Sequence, residues 1–169
     1  MIKFCRCFMF VMLGLVMISC GYRVASREQL PGGISTIGVA VLNNRTGLSG
    51  LEAVVSNALV DEFTRRRPNF VVDAQRADAV LSGSIDSLAN ETVARRGTLT
   101  ALERRMTITV SLVLRNPKGE TLWAQTITAQ ETYGVRDHQA ETEMNLRLAA
   151  AIVARRLGEY TYERLTDAF

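Results

Sequence analysis

Histidine is nearly absent from this sequence: of 169 residues only His138 is one, so no histidine cluster can hold a metal and no paired imidazoles can shuttle protons. Cysteine is almost as scarce, at positions 5, 7 and 20, and the first two lie in an apolar N-terminal stretch. If that stretch is removed, no pair is left for a disulfide or a thiolate metal site. Lysine occurs only at positions 3 and 118, so the basic character is carried by arginine. A charge excess is missing too. There are 20 basic and 17 acidic side chains, and Lys3 and Arg6 belong to the N-terminal stretch, which leaves the remainder close to neutral. No phosphate-binding glycine loop, nucleophile elbow or metal-ligand spacing is present. Glu141 and Glu143 point to different sides of a helix, and Asp61 and Glu62 are sequence neighbours that do not converge. Nothing argues for a catalytic carboxylate pair. The expectation is a protein that carries no cofactor apart from a covalent lipid.

That lipid is suggested by "VMISCGYRV". Lys3 and Arg6 precede an apolar run from Phe8 to Ile18, the layout of a secretory leader. The run is shorter than the ~20 apolar residues a membrane span needs. Ile18-Ser19-Cys20 resembles a bacterial lipobox, with Met17 where leucine is usual. Residues 1–19 then form a signal peptide, Cys20 becomes the lipidated first residue, and residues 20–34 make a tether. More than one acyl chain anchors stably, at ~0.8 kcal/mol per buried methylene. A plain secreted chain and an uncleaved anchor are the alternatives. Nucleic acid is not an expected partner outside the cytoplasm.

Residues 35–169 read as one domain. "STIGVAVL", Ser35–Leu42, is apolar and β-branched enough for a buried strand. Ser49 and Glu52 have capping-box spacing, and Leu51, Val54, Val55, Ala58 and Leu59 make one helical stripe ending near Arg66, before Pro68. Arg65, Arg66 and Arg67 complement the dipole at its C-terminus. "FVVD" is a possible short strand. From Ala79, Leu81, Gly83 and Ile85 alternate with Ser82, Ser84 and Asp86, in a strand reaching about Thr92 with a bulge near Leu88-Ala89. Met106 to Arg115 alternates most clearly. "NPKG" is a turn, and "ETLWAQTITAQETY" is the return strand, with Trp123 in core or against a partner. Gln139 to about Leu165 is a long helix whose stripe is Leu146, Ala150, Val153, Leu157 and Tyr160. His138, at its start, reads as a capping or solvated residue. The order β-α-β-β-β-α predicts an α+β two-layer sandwich, with two helices on one face of a roughly four-stranded mixed sheet. The other face carries Thr, Ser, Gln and Arg.

"SCGYRV", "LPGGISTIGVAVLNNRTGLSGLE", "ADAVLSGSIDSL" and "GETLW" resemble the LptE family of outer-membrane lipopolysaccharide-assembly lipoproteins. The resemblance covers nearly all of the chain after the leader. It implies a non-enzymatic plug inside an LptD-type β-barrel, supporting barrel assembly and delivery of lipopolysaccharide to the outer leaflet. The chain would be anchored on the periplasmic face of the outer membrane, and Gly21 after the cysteine permits that sorting. Lipid A phosphates call for cationic donors. Arg95, Arg96, Arg104 and Arg105 flank Gly97 on strands expected to pair, and like charges across a hairpin are unfavourable unless an anion relieves them. Lys118 lies in the opposite turn. A solvated loop explains the four arginines as well. The opening strand and helix also occur in other envelope lipoproteins, which leaves open a peptidoglycan-synthase activator or a curli-export or TolB-like module.

Overall fold

The computed structural model describes residues 33–96 and 100–168, with backbone alone at 95, 96, 100 and 101. Cys20, the leader and most of the tether lie outside the described residues. The elements are β1 (Ile37–Val39), β2 (Asn43–Asn44), α1 (Leu51–Arg66), β3 (Ala79–Arg96), β4 (Thr100–Arg115), β5 (Thr121–Gly134) and α2 (Gln139–Asp167). The sheet order is β1-β3-β4-β5, with β2 also on β3. β1 and β2 run parallel to β3, and the three long strands form an antiparallel meander. The α+β architecture expected from the sequence is the one observed.

Both helices cover one sheet face. Met106, Ile108, Val110, Leu112 and Leu114 alternate along β4, all buried, because side chains two apart share a face. Leu51, Val55, Leu59 and Phe63 meet them from α1, and Ala150, Val153, Ala154, Leu157 and Leu165 from α2. Each such Val, Leu, Ile, Met or Phe side chain contributes roughly 1.5–3 kcal/mol on burial. Trp123 is a core residue, 5 % exposed. Gly83 fits where β3 and β4 approach tightly, since an added Cβ would stand 2.1 Å from the Ser111 carbonyl oxygen.

Several local expectations are corrected. The first strand is not continuous from Ser35 to Leu42. Ala40 and Arg45 still donate to Leu81 and Ile85 of β3, but the Leu42 N–H turns inward to Ser56 Oγ on α1, at 3.0 Å. The chain bows out there, Val41 is 73 % exposed, and one long strand becomes two short ones. "FVVD" makes only a single bridge, Val71 to Ile37. The capping box does not form. Gly50, at φ 84°, occupies the N-cap with no side-chain cap, and Glu52 instead accepts from Asn44 Nδ2 at 2.8 Å. A left-handed φ favours glycine, so the backbone sets this helix start. On α1, Val54 is 40 % exposed, and Phe63 and Glu62 complete the buried side. On α2 the buried stripe passes through Thr161, not Tyr160, and the Thr161 hydroxyl is satisfied there by donating to the Leu157 carbonyl at 2.6 Å. His138 holds the N-cap position without a side-chain cap bond. The three arginines after Glu62 do more than face the helix dipole: Arg65 and Arg66 pair with buried Glu62, and Arg67 stacks on Phe70 at 4.5 Å.

Candidate functional site: the uncovered sheet face

The face opposite the helices is a grid of hydroxyls. Its cross-strand rows are Ser84, Ser111 and Thr126, then Ser87, Thr109 and Thr128, then Ala89, Thr107 and Gln130. Thr109 and Thr128 hydroxyls lie 3.1 Å apart, and those of Ser111 and Thr126 3.2 Å apart. Such pairs stabilise a sheet modestly, by roughly 0.2–1 kcal/mol each, and leave further donors and acceptors free on the surface.

One carboxylate stands among them. β3 pairs Ile85 with Val110 and Ser87 with Thr109, so Asp86 is the extra residue of a bulge. The bulge falls here and not near Leu88-Ala89. It returns Leu88 to the core side, opposite Ile108. Asp86 Oδ1 accepts from Ser84 Oγ at 2.6 Å and Arg45 Nη1 at 3.2 Å, and Oδ2 accepts from Ser111 Oγ at 2.5 Å. Ser111 and Ser84 first, then the Arg45 charge, hold its carboxyl below the ordinary aspartate value. Asn43 and Val113 complete a shallow polar depression around this network. The middle of the face therefore presents hydroxyls with their one carboxylate neutralised. The network escaped the sequence reading, although a lone aspartate in "SGSIDSL" was a signal for it.

The arginines are arranged differently from expectation. The register sets Arg95 opposite Ala101 and Arg96 opposite Thr100, so no arginine faces another across the hairpin. Arg104 lies between Thr92 and Tyr133, on the helix-covered side. Arg105 lies between Glu91 and Thr132, on the hydroxyl side, with an acidic neighbour. An extra residue, Val93, between Thr92 and Ala94 displaces the pairing from the simple hairpin the spacing suggested. Adjacent strand residues point to opposite faces, so Arg104 and Arg105 do not form one patch. Lys118 is exposed in the Asn116–Glu120 turn, at the other end of the sheet, where its N–H donates to Asn116 Oδ1 at 3.0 Å.

A two-layer sheet with one bare hydroxyl face is a common architecture, and the pattern of the whole chain decides its kin. The family model described as LptE: Lipopolysaccharide-assembly matches residues 34–157. The chain belongs to the LptE family. Solved structures agree on the fold. The rare lipoprotein B from Shewanella oneidensis is 18% identical, with 78% of this chain and 95% of that one covered and a TM-score of 0.52. A minor lipoprotein from Acinetobacter baumannii is 16% identical, covering 79% and 94%, with a TM-score of 0.54. No curated protein matches this chain in sequence. In this LptE-family chain the match runs from Ile34, the first buried core residue among those described, to Leu157 in α2. It thus takes in every strand of the hydroxyl face.

Proposed function

We propose that this chain is an outer-membrane lipoprotein, anchored through a lipid on Cys20, that sits in the lumen of an LptD-type β-barrel and assists barrel assembly and lipopolysaccharide insertion. The observation that carries the reading is the hydroxyl face. Barrel interiors are polar, and a plug must meet that wall without burying an unpaired charge. A grid of Ser and Thr with Asp86 internally neutralised supports such a contact. Lipopolysaccharide phosphates would be met at the hairpin end by Arg95, Arg96 and Arg105, with Arg104 turned to the other side and Lys118 serving the far turn.

The test is co-purification after mild detergent extraction, comparing wild type with Thr109→Arg/Thr128→Arg. Wild type is expected to bring down a large β-barrel. The variant places two cations in the centre of the grid and is expected to lose it while keeping its thermal midpoint. Recovery of an inner-membrane synthase instead, or unchanged barrel recovery with the variant, would overturn the reading.

A further inference from the structure

The two edges of the sheet are protected in different ways. On one, β1 and β2, of three and two residues, cover β3 only as far as Ile85, and the extra residues Asp86 and Val93 interrupt the rest of that edge. The other edge is β5, 14 residues long and unbroken in register from Trp123 to Gly134. Long unpaired edges invite pairing with another chain. The Val135 N–H donates to Leu102 of β4, at 2.8 Å. Residues of even number in this part of β5 therefore direct their N–H and C=O groups outward.

Two of those outward carbonyls are taken by side chains of α2. Asn145 Nδ2 donates to the Gly134 carbonyl at 2.9 Å, and Arg156 Nη1 donates to the Gln130 carbonyl. Arg156 is held there by Glu131, whose Oε2 lies 2.6 Å from the same nitrogen. The position of Arg156 on its helix is informative. Met144, Leu148, Ile152, Arg156 and Tyr160 form one i+4 row, about 24 Å long. The four apolar members are between 36% and 57% exposed. Arg156 breaks this row and lays its guanidinium over the strand edge.

We infer that Arg156, with Asn145, is a latch that closes the C-terminal half of the β5 edge against strand addition, and that the strand it excludes is β5 of a second copy of this chain. Upstream of the latch the free edge is limited to the first eight residues of β5, Thr121–Thr128, instead of all fourteen. With the latch removed, the open edge extends to Gly134 beside an apolar row. Two copies then can pair β5 to β5 and bury Leu148 and Ile152 together. The inference is independent of what the hydroxyl face binds.

The test uses the full chain in detergent micelles, followed by sedimentation velocity over a hundredfold concentration range and by hydrogen exchange of β5. Wild type is expected to stay monomeric. Arg156→Ala/Asn145→Ala is expected to dimerise at least tenfold more tightly, with new protection at the Gln130 and Thr132 amides. Adding Thr132→Pro, which removes an outward N–H and is tolerated at an edge, is expected to reverse the gain. Arg156→Lys keeps the charge opposite Glu131 but loses the guanidinium fork, and is expected to dimerise to an intermediate degree. It decides the matter should the alanine pair fail to fold. Monomeric behaviour of the folded variants, or dimers that persist with Thr132→Pro, would overturn the latch.

Discussion

Gly158 of α2 lies directly against the backbone of Ala58 in α1: a Cβ on Gly158 would stand 2.9 Å from the Ala58 carbonyl oxygen and 3.2 Å from Glu62 Cβ. The helices meet backbone to backbone at this crossing, and that closeness seats both over the same stretch of sheet.

Gly158→Ala is therefore expected to destabilise, although alanine favours a helix by about 1 kcal/mol over glycine. The obstacle is backbone and cannot rotate away. A net loss of about 1–2 kcal/mol is expected, and a larger one for Gly158→Leu, as in overpacked cores. Chemical denaturation measures it. Equal or greater stability for the alanine variant would show that the helices separate at little cost.

Glu62 is 2 % exposed beneath Arg65 and Arg66. Burial pushes its carboxyl up, and the hydrogen bonds and charges of Arg66 and Arg65 outweigh this and hold it below the ordinary glutamate value. Removing both cations, as Arg65→Ala/Arg66→Ala, leaves burial to act alone. The expected cost at pH 7 is about 3 kcal/mol, as for breaking a buried pair. With the folded carboxyl then raised, the loss should shrink as pH falls toward the unfolded glutamate value of about 4.3. Glu62→Leu should cost far less. A pH-independent loss would place the penalty elsewhere.

Asp78 fastens the start of the domain. Its Oδ2 accepts the Ser35 and Thr36 N–H groups, both at 2.9 Å, and the Thr36 hydroxyl at 3.0 Å. The Ser35 N–H first, then the Thr36 hydroxyl, hold its carboxyl below the usual value. The folded chain thus favours the charged form. That stabilisation is present above the unfolded aspartate pKa of about 3.9 and is lost as pH falls through the lowered folded value. Asp78→Asn should cost about 1 kcal/mol at pH 7, with the gap to wild type closing on acidification. A constant gap from pH 7 to 3 would contradict this.

The faces assigned to Arg104 and Arg105 separate their roles. Arg105→Ser should weaken binding to purified lipopolysaccharide severalfold and flatten its salt dependence. Arg104→Ser alone should leave binding near wild type. Stability should move by no more than about 0.5 kcal/mol for Arg104→Ser, at an exposed position. Equal losses from both variants would argue against a site on the hydroxyl side.

The long elements could be read in the sequence because they repeat a simple period. The expected end of α2 at Leu165 and the observed end at Asp167 differ by two residues, and the β4 alternation from Met106 to Leu114 matched the buried face. Several of the misses depend on a partner outside the local pattern. The bulge at Asp86 is held by the Ser111 hydroxyl on β4 and by Arg45, and the break after Val39 by Ser56 on α1. Asn44 takes Glu52 from the cap. The register near Val93 separates arginines that adjacency had grouped. Local pattern names the residues on a strand, but the neighbouring strand decides which of them share a face.

β3 also acts as a ruler. It is parallel to β1, where the chain enters the sheet, and from Ala79 to Arg96 it rises about 56 Å at the usual ~3.3 Å per residue. Whatever holds the N-terminal side therefore holds the arginine-bearing hairpin at a set stand-off, at the far pole of a hydrogen-bonded beam. Matched two-residue deletions in β3 and β4 would draw that pole in by about 7 Å without inverting a side chain. Reach could thus be varied in the cell while the chemistry of the surface stayed constant.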